Sequence, residues 1–255
     1  AAIVRAYGDR IRFIRRAENS GICAVARTTG LSQARGRYIA YIDQDDLWEP
    51  RKLEIQTAFM EAHPELPLSH TYAWVIDGDG HRGEIRHFGL IPPTGPCARK
   101  LLDHCFITVS TLMIRARRAT RDDDIHLNPK AANSDYLYFF SELQRSPAGF
   151  GFIPEPLASY RKWSSNMSRG RWKWGPEDVS ALITLARSGR WQGLVSRRDM
   201  RIAIVRACRI DAEHYYHQGF FGRTCYFAAK GWVRSPCEWR FPVLVVKAGL
   251  KKLMH

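Results

Sequence analysis

The chain has 255 residues, 45% hydrophobic and 25% charged, with a formal net charge of +14, enough to bury one large core or two small ones. Its six cysteines never fall at C-x-x-C spacing and its nine histidines form no H-x-H or H-E-x-x-H group, so a zinc site or a disulfide framework has no sequence support and a reducing, cytoplasmic compartment is the default expectation. No stretch approaches the roughly 20 consecutive apolar residues of a membrane span, and the opening Ala1 to Asp9 lacks the basic and apolar regions of a signal peptide.

Residues 1–7 read as the last turns of a helix closing at Gly8, and Ile11 to Ile14 as a short β-branched strand. Asn19, Ser20 and Gly21 form a turn signal, since glycine tolerates positive φ. From Ile22 to Ala34 apolar residues recur at a helical period, and Gly36 ends the helix. Tyr38 to Ile42 is a near-continuous apolar run, as in a strand covered on both faces. Pro50 suits a first helical turn, and Leu53, Ile55, Gln56, Phe59 and Met60 carry that helix to His63-Pro64. Leu68 to Ile76 is a further strand, stopped by the hairpin turn signal Asp77-Gly78-Asp79-Gly80. This alternation predicts an α/β fold with a largely parallel sheet flanked by helices, where ligands bind at the carboxyl ends of strands.

After a proline-rich loop from Ile91 to Pro96, a short helix is expected at Lys100 to His104 and a strand at Ser110 to Ile114. Ser134 to Leu143 is helical, with Tyr136, Phe139, Phe140 and Leu143 on one side. Phe150 to Tyr160 is extended, but Pro154 and Pro156 remove ladder donors and predict at most an edge strand or a wrapped loop. Beyond Pro176 the pattern is helical and amphipathic, which divides the chain into residues 1–175 and a basic helical extension over 176–255. That extension holds 14 Lys or Arg against 6 Asp or Glu, +8 of the +14, a field suited to nucleic acid, an anionic membrane or a diphosphate.

The run YIAYIDQDDLW, Tyr38 to Trp48, sets Asp43, Asp45 and Asp46 where an apolar strand runs out. Hard cations such as Mg²⁺ take oxygen ligands, typically one or two carboxylates plus substrate phosphates. Capping of the next helix, worth about 0.3 to 1 kcal/mol through the helix dipole, accounts for one acid or two. The third points to a diphosphate site.

Taken together, Asn19-x-Gly21, Ala26-Arg27, Gly30-Leu31, Ala34-x-Gly36-x-Tyr38-Ile39, Asp43-Gln44-Asp45-Asp46, Trp48-x-Pro50 and Lys52-Leu53-Glu54 resemble, in order and spacing, the middle of a family 2 glycosyltransferase of the GT-A fold. The similarity resumes at Val109 to Ile114, at Ser134-Asp135-Tyr136 and at Ile153 to Arg161, and covers residues 1 to about 170. The resemblance implies a GT-A, Rossmann-like sheet and an inverting transfer from a nucleotide-sugar donor to a hydroxyl of a glycan or a lipid- or protein-linked acceptor, with Mg²⁺ or Mn²⁺ as cofactor. It implies that Asp43 contacts the nucleotide ribose or donor sugar, that Asp45 binds the metal bridging the donor diphosphate, and that Asp46 orients its neighbours. Arg27, with Asn19 and Gly21, belongs to the donor side. Asp135 matches the general base, and Ser134, Tyr160, Arg161 and Trp163 fall on the acceptor side.

The chain departs from the family pattern in three places. Ser134 stands where the first acid of the E-D pair is usual, and Trp163 where many relatives carry a metal-reaching histidine. The family's first two strands, with their acidic nucleobase-binding segment, would precede residue 1; residues 1–255 alone are therefore expected to bind a nucleoside diphosphate weakly and to leave a sheet edge unpaired.

Two other readings are weighed. A haloacid dehalogenase-type phosphatase would use Asp43 and Asp45, with Asp122, Asp123 and Asp124 as later ligands, but Leu47-Trp48-Glu49-Pro50 departs from its pattern. A nucleic-acid-binding or scaffold protein would use the basic extension and Arg169 to Trp174, where packing on a core edge explains the residues as well. The apolar run Phe241 to Val246 followed by Lys247, Lys251 and Lys252 suits a peripheral contact with the inner face of an anionic membrane. Asp77 and Asp79 are explained by their turn.

Overall fold

The computed structural model describes residues 6–18, 23–86, 90–116, 134–163, 178–238 and 240–253. A 3-10 turn at Gly8–Arg10 opens it, with Gly8 at φ 54°. Ile11 to Ile14, expected as a strand, is extended, yet no strand pairs with it among the described residues. It lies beside the first helix instead, through Arg12 to the Gln33 side chain at 2.6 Å and Arg16 to Thr29 Oγ1 at 2.8 Å. Its apolar side chains stay exposed, Phe13 at 42%. Apolar alternation alone makes no ladder without a partner.

Helix α1 (Cys23–Leu31) is followed by β1 (Tyr38–Ala40), a short β2 (Leu47–Trp48), α2 (Lys52–Ala62), β3 (Leu68–Ile76), β4 (Arg82–Ile85), α3 (Ala98–Asp103), β5 (Met113–Arg115), α4 (Ser134–Arg145) and β6 (Gly151–Arg161). Among the described residues four helices follow: α5 (Asp178–Ser188), α6 (Arg197–His217), α7 (Phe221–Trp232) and α8 (Arg240–Leu253). The sheet order is β1-β5-β3-β6-β2, with β4 against the end of β3. The predicted α/β class holds, with β1, β3 and β6 running in one direction. The sheet is more mixed than the strand-helix alternation suggests, because β5 enters between β1 and β3 antiparallel to both, leaving β3–β6 as the parallel pair of neighbours.

β3 is buried along most of its length, which is why its sequence reads as a run rather than an alternation. Its turn, Asp77 to Gly80, makes the expected hairpin to β4, with Gly80 at φ 94°.

β6 corrects the sequence expectation of an edge strand or loop. It is an interior strand, flanked by β3 and β2. Its prolines are accommodated by register shifts: Ile153 faces Thr71 and Pro156 faces Tyr72, so Pro154 and Glu155 bow out of the ladder and are exposed. β2 pairs only with Ala158 and Ser159, past both prolines.

The helix α2 is also rotated from expectation. Lys52, Gln56 and Met60 form its buried line, while Leu53 is 49% exposed. One continuous apolar core joins the sheet and α3 to α4 and the C-terminal helices, through Leu68, Leu101, Phe139, Leu182, Met200 and Phe241. The start of α6 is fixed by a capping box, Ser196 with Asp199. Among the described residues, no helix is long and apolar enough to cross a membrane.

Candidate active site

Because β1, β3 and β6 run the same way, their carboxyl ends meet at one edge of the sheet. Asp43, Asp45 and Asp46 follow β1, Asp77 follows β3, and Arg161 closes β6. β5 runs the other way, so the 3-10 turn before it, Val109–Thr111, brings Ser110 to the same edge.

The loop after β1 closes on itself where the Asp46 amide donates to the Asp43 carbonyl at 3.1 Å. Ser110 Oγ accepts the Asp43 amide at 3.0 Å and donates to Asp46 Oδ2 at 2.5 Å. Asp46 Oδ1 accepts the backbone amide of Arg161 at 2.9 Å. Asp46 is 6% exposed. Burial pushes its pKa up, the bonds from Ser110 and Arg161 pull it down, and the charges of Asp43 and Asp45 add to the rise. With both oxygens engaged, Asp46 is a strut.

Asp43 forms an ion pair with Arg27 of α1, Nη2 to Oδ1 at 2.8 Å, at side-chain exposures of 39% and 15%. Asp45 is tied down through its carbonyl, which accepts Arg161 Nε at 2.8 Å. Its half-buried carboxylate takes no hydrogen bond or ion pair among the described residues. Of the three acids, Asp45 is the one with neither carboxylate oxygen engaged among the described residues.

Arg161 fastens this edge. Its Nη1 donates to the carbonyls of Asp77 at 3.0 Å and Gly78 at 2.9 Å, and its guanidinium lies 5.7 Å from the ring of Trp163, which is exposed. The preceding Tyr160 carries the guanidinium of Arg86 at 4.2 Å from its ring. Burial lowers the Arg86 pKa, against the pull of Tyr160 and Asp46.

Behind the loop, Trp48 Nε1 donates to the Ser110 carbonyl at 2.8 Å. Lys52 is fully buried, donates to Gln56 Oε1 and to the Thr111 carbonyl, and sits 5.0 Å from the Trp48 ring. Burial lowers its pKa to about 7. Gln56 Nε2 reaches the Thr111 carbonyl at 2.9 Å and both the carbonyl and hydroxyl of Ser69 at 3.1 Å. This polar spine holds the turn that carries Ser110.

Asp43, Asp45, Arg27, Arg161 and Trp163 are thus brought to one edge, with Tyr160 adjoining. Ser134 and Asp135 open α4, their side chains outside the described set. Asn19, Gly21, Asp122 to Asp124 and Arg169 to Trp174 also lie outside the described residues. Sequence reasoning missed Ser110, which reads as a strand residue, Arg86, and the burial of Lys52. The i, i+4 pair Lys52 and Gln56 on one helix face was the available signal for the last.

Among the described residues, the acid and histidine group whose ligand atoms fall within 4.8 Å of one another is Asp77, Asp79 and His81, all exposed. Asp77 Oδ1 accepts the amides of Asp79 at 3.0 Å and His81 at 2.9 Å, and Oδ2 faces His81 Nδ1 at 3.1 Å. The His81 amide leads the causes that lower the Asp77 pKa. These bonds build the hairpin turn and account for the group.

Comparison with known proteins adds the following. Residues 1–123 match the family model described as Glycosyl transferase family 2. The chain is 30% identical over 165 residues to TuaG of Bacillus subtilis, named as a teichuronic acid biosynthesis glycosyltransferase, covering 65% of this chain and 62% of TuaG. It is 36% identical over 148 residues to a protein named glycosyltransferase EpsE of the same organism, covering 53% of this chain and 48% of EpsE. To WfgD of Escherichia coli, named UDP-Glc:alpha-D-GlcNAc-diphosphoundecaprenol beta-1,3-glucosyltransferase, it is 29% identical over 157 residues, 59% of this chain and 55% of WfgD. The chain thus spans about half to three fifths of these relatives. Among solved structures, S. aureus TarS superposes with a TM-score of 0.60 over 96% of this chain and 42% of TarS, at 13% identity, a likeness of fold. Over residues 1–123, just under half of its length, the chain matches glycosyl transferase family 2, and it carries the α/β fold expected of that family.

Proposed function

We propose that the intact protein transfers a sugar from a nucleotide-activated donor to a hydroxyl of a glycan or lipid-linked acceptor, by a single displacement that inverts the anomeric centre. One observation carries this reading: the division of labour after β1, where Asp46 is a buried strut, Asp43 is held by Arg27, and the Asp45 carboxylate is left for a ligand. Mg²⁺ or Mn²⁺ fits that arrangement, because a hard cation needs only one or two protein carboxylates when donor phosphates complete its shell. When bound, it supplies charge neutralisation at the departing nucleoside diphosphate.

The chain's own groups do the remaining work. Asp45 holds the cation; Asp43, oriented by Arg27 and the Ser110 hydroxyl, faces the ribose or donor sugar. Arg27, together with Asn19 and Gly21, serves the donor side. Asp135, at the first turn of α4, accepts the proton of the attacking hydroxyl. Ser134, Tyr160, Arg161 and Trp163 bound the acceptor side. Residues 1–175 serve as the transfer unit, and 176–255 as its basic extension. The names of TuaG and WfgD, one a teichuronic acid enzyme and the other acting on a lipid diphosphate, support a place in cell-envelope polysaccharide biosynthesis at the inner face of the membrane.

The test is release of nucleoside diphosphate from a panel of nucleotide sugars, with and without chelator. Turnover that is lost on chelation and restored by Mn²⁺ or Mg²⁺ supports the reading; turnover indifferent to chelator removes Asp45 from its role.

A further inference from the structure

Helix α8 carries apolar residues on both of its sides. Phe241, Leu244 and Ala248 are buried, at 0%, 9% and 0% exposure, and pack into the core. Val243, Val246 and Leu250 recur at the same helical spacing on the opposite side, exposed at 37%, 60% and 57%. A helix that served only to cover a core would present polar groups there. The outward stripe is bordered by positive charge. Arg240 and Lys247 are exposed, and Lys251 lies 5.3 Å from the ring of Tyr216 on α6.

The charge continues beyond the helix. Arg240 also lines an open groove of about 310 Å³ with Arg201, Arg206, Arg209 and Glu238, where Arg206 is paired with Asp103 and Arg209 with Glu213. Four guanidinium groups face three neighbouring carboxylates there, which leaves the groove with an excess of positive charge that attracts anions. An aliphatic stripe beside lysines and a guanidinium-lined groove together match one kind of surface, hydrocarbon beneath a layer of phosphate. A second copy of this chain would bring the same basic flank and the same net charge of +14 against it. Nucleic acid would satisfy the arginines but offers nothing to Val246 and Leu250, which cannot stack on bases as aromatic rings do.

We infer that the outward face of α8 docks on an anionic phospholipid membrane, with Val243, Val246 and Leu250 entering the acyl boundary and Arg240, Lys247 and the arginine groove engaging lipid phosphates. The inference deepens the proposed transfer to a membrane-linked acceptor, since docking would hold the sheet edge at the surface where such an acceptor lies. It also sharpens the sequence expectation for the tail: the first and fourth residues of the run Phe241 to Val246 belong to the core, and the membrane side is the one facing away.

The experiment is cosedimentation of the 255-residue chain with vesicles of phosphatidylcholine alone or with about 30 mol% phosphatidylglycerol, at low salt and at about 0.5 M salt. Binding is expected only with the anionic lipid, and to weaken at the higher salt. Two variants on exposed positions, V246D/L250D and R240E/K247E, should each lower that binding at least tenfold while their circular dichroism matches the parent. Asp45→Asn, which strikes the proposed chemistry, should leave vesicle binding unchanged and so separates the two claims. Equal binding to neutral and anionic vesicles, or undiminished binding by both variants, overturns the inference. So does a parent dimer that V246D/L250D converts to monomer without effect on vesicles, since a second copy would then cover the face.

Discussion

Ser110 Oγ donates to the carboxylate of Asp46 at 2.5 Å, across 64 residues of sequence. The same oxygen accepts the Asp43 amide, so one hydroxyl fixes both ends of the acidic loop. Removing it leaves a buried carboxylate short of a donor and an amide short of an acceptor. Ser110→Ala should lower folding stability by about 1 to 3 kcal/mol and weaken donor binding by misplacing Asp43. Urea unfolding and nucleotide titration of the intact protein check both. Unchanged stability would mean that the Ser110 bond contributes nothing.

Lys52 makes stability depend on pH in the alkaline range. Its folded pKa of about 7 lies below its ordinary 10.5, so between those values the unfolded chain holds a proton that the folded chain has released. Stability attributable to this group therefore rises from about pH 7 toward 10.5, by at most about 1.4 kcal/mol per pH unit. Lys52→Met should abolish that slope. Unfolding midpoints of parent and variant at pH 7, 8 and 9 provide the comparison, and parallel curves would contradict the assignment.

Gly231 on α7 is a packing site. A Cβ there would fall 2.2 Å from the ring of the fully buried Phe241. Gly231→Ala should cost about 1 to 3 kcal/mol through overpacking even though alanine favours a helix. A thermal melt at or above the parent's would show that α7 and α8 separate at no cost.

Asp135 is placed by the transfer reading as the base for the acceptor hydroxyl. Asp135→Asn should leave nucleotide-sugar binding within about twofold and lower transfer by at least about a hundredfold. Full activity in this variant would move the base elsewhere.

The fold was legible wherever a segment's periodicity matched its final environment. β3 lies where its sequence puts it, since burial on both faces makes a run; α4 covers the segment its periodicity marks, but Leu137 to Leu143 are buried all round rather than along one side. Three elements escaped because tertiary partners decided them. Ile11 to Ile14 has strand composition but no ladder among the described residues. β6 tolerates Pro154 and Pro156 by register shifts that no local pattern records. On α2, the polar spine through Gln56, Ser69 and Thr111 outweighs the apolar preference for Leu53 and buries a lysine instead. At the site, the acids were visible and their roles were not: three aspartates in four residues look alike until Ser110, Arg27 and the Arg161 backbone, all distant in sequence, claim two of them.

On the transfer reading Asp45, whose carboxylate no described residue engages, holds the cation of the donor diphosphate, while Asp46 holds the loop. The most direct measurement is Mn²⁺-dependent release of nucleoside diphosphate by the intact protein beside its Asp45→Ala and Asp46→Ala forms, with unfolding curves for each. Asp45→Ala should fold with parental stability, within about 0.5 kcal/mol, and lose turnover. Asp46→Ala should lose stability, about 1 to 3 kcal/mol for the unpaired Ser110 and Arg161 donors. An Asp45→Ala protein that retains metal-dependent turnover would contradict the account.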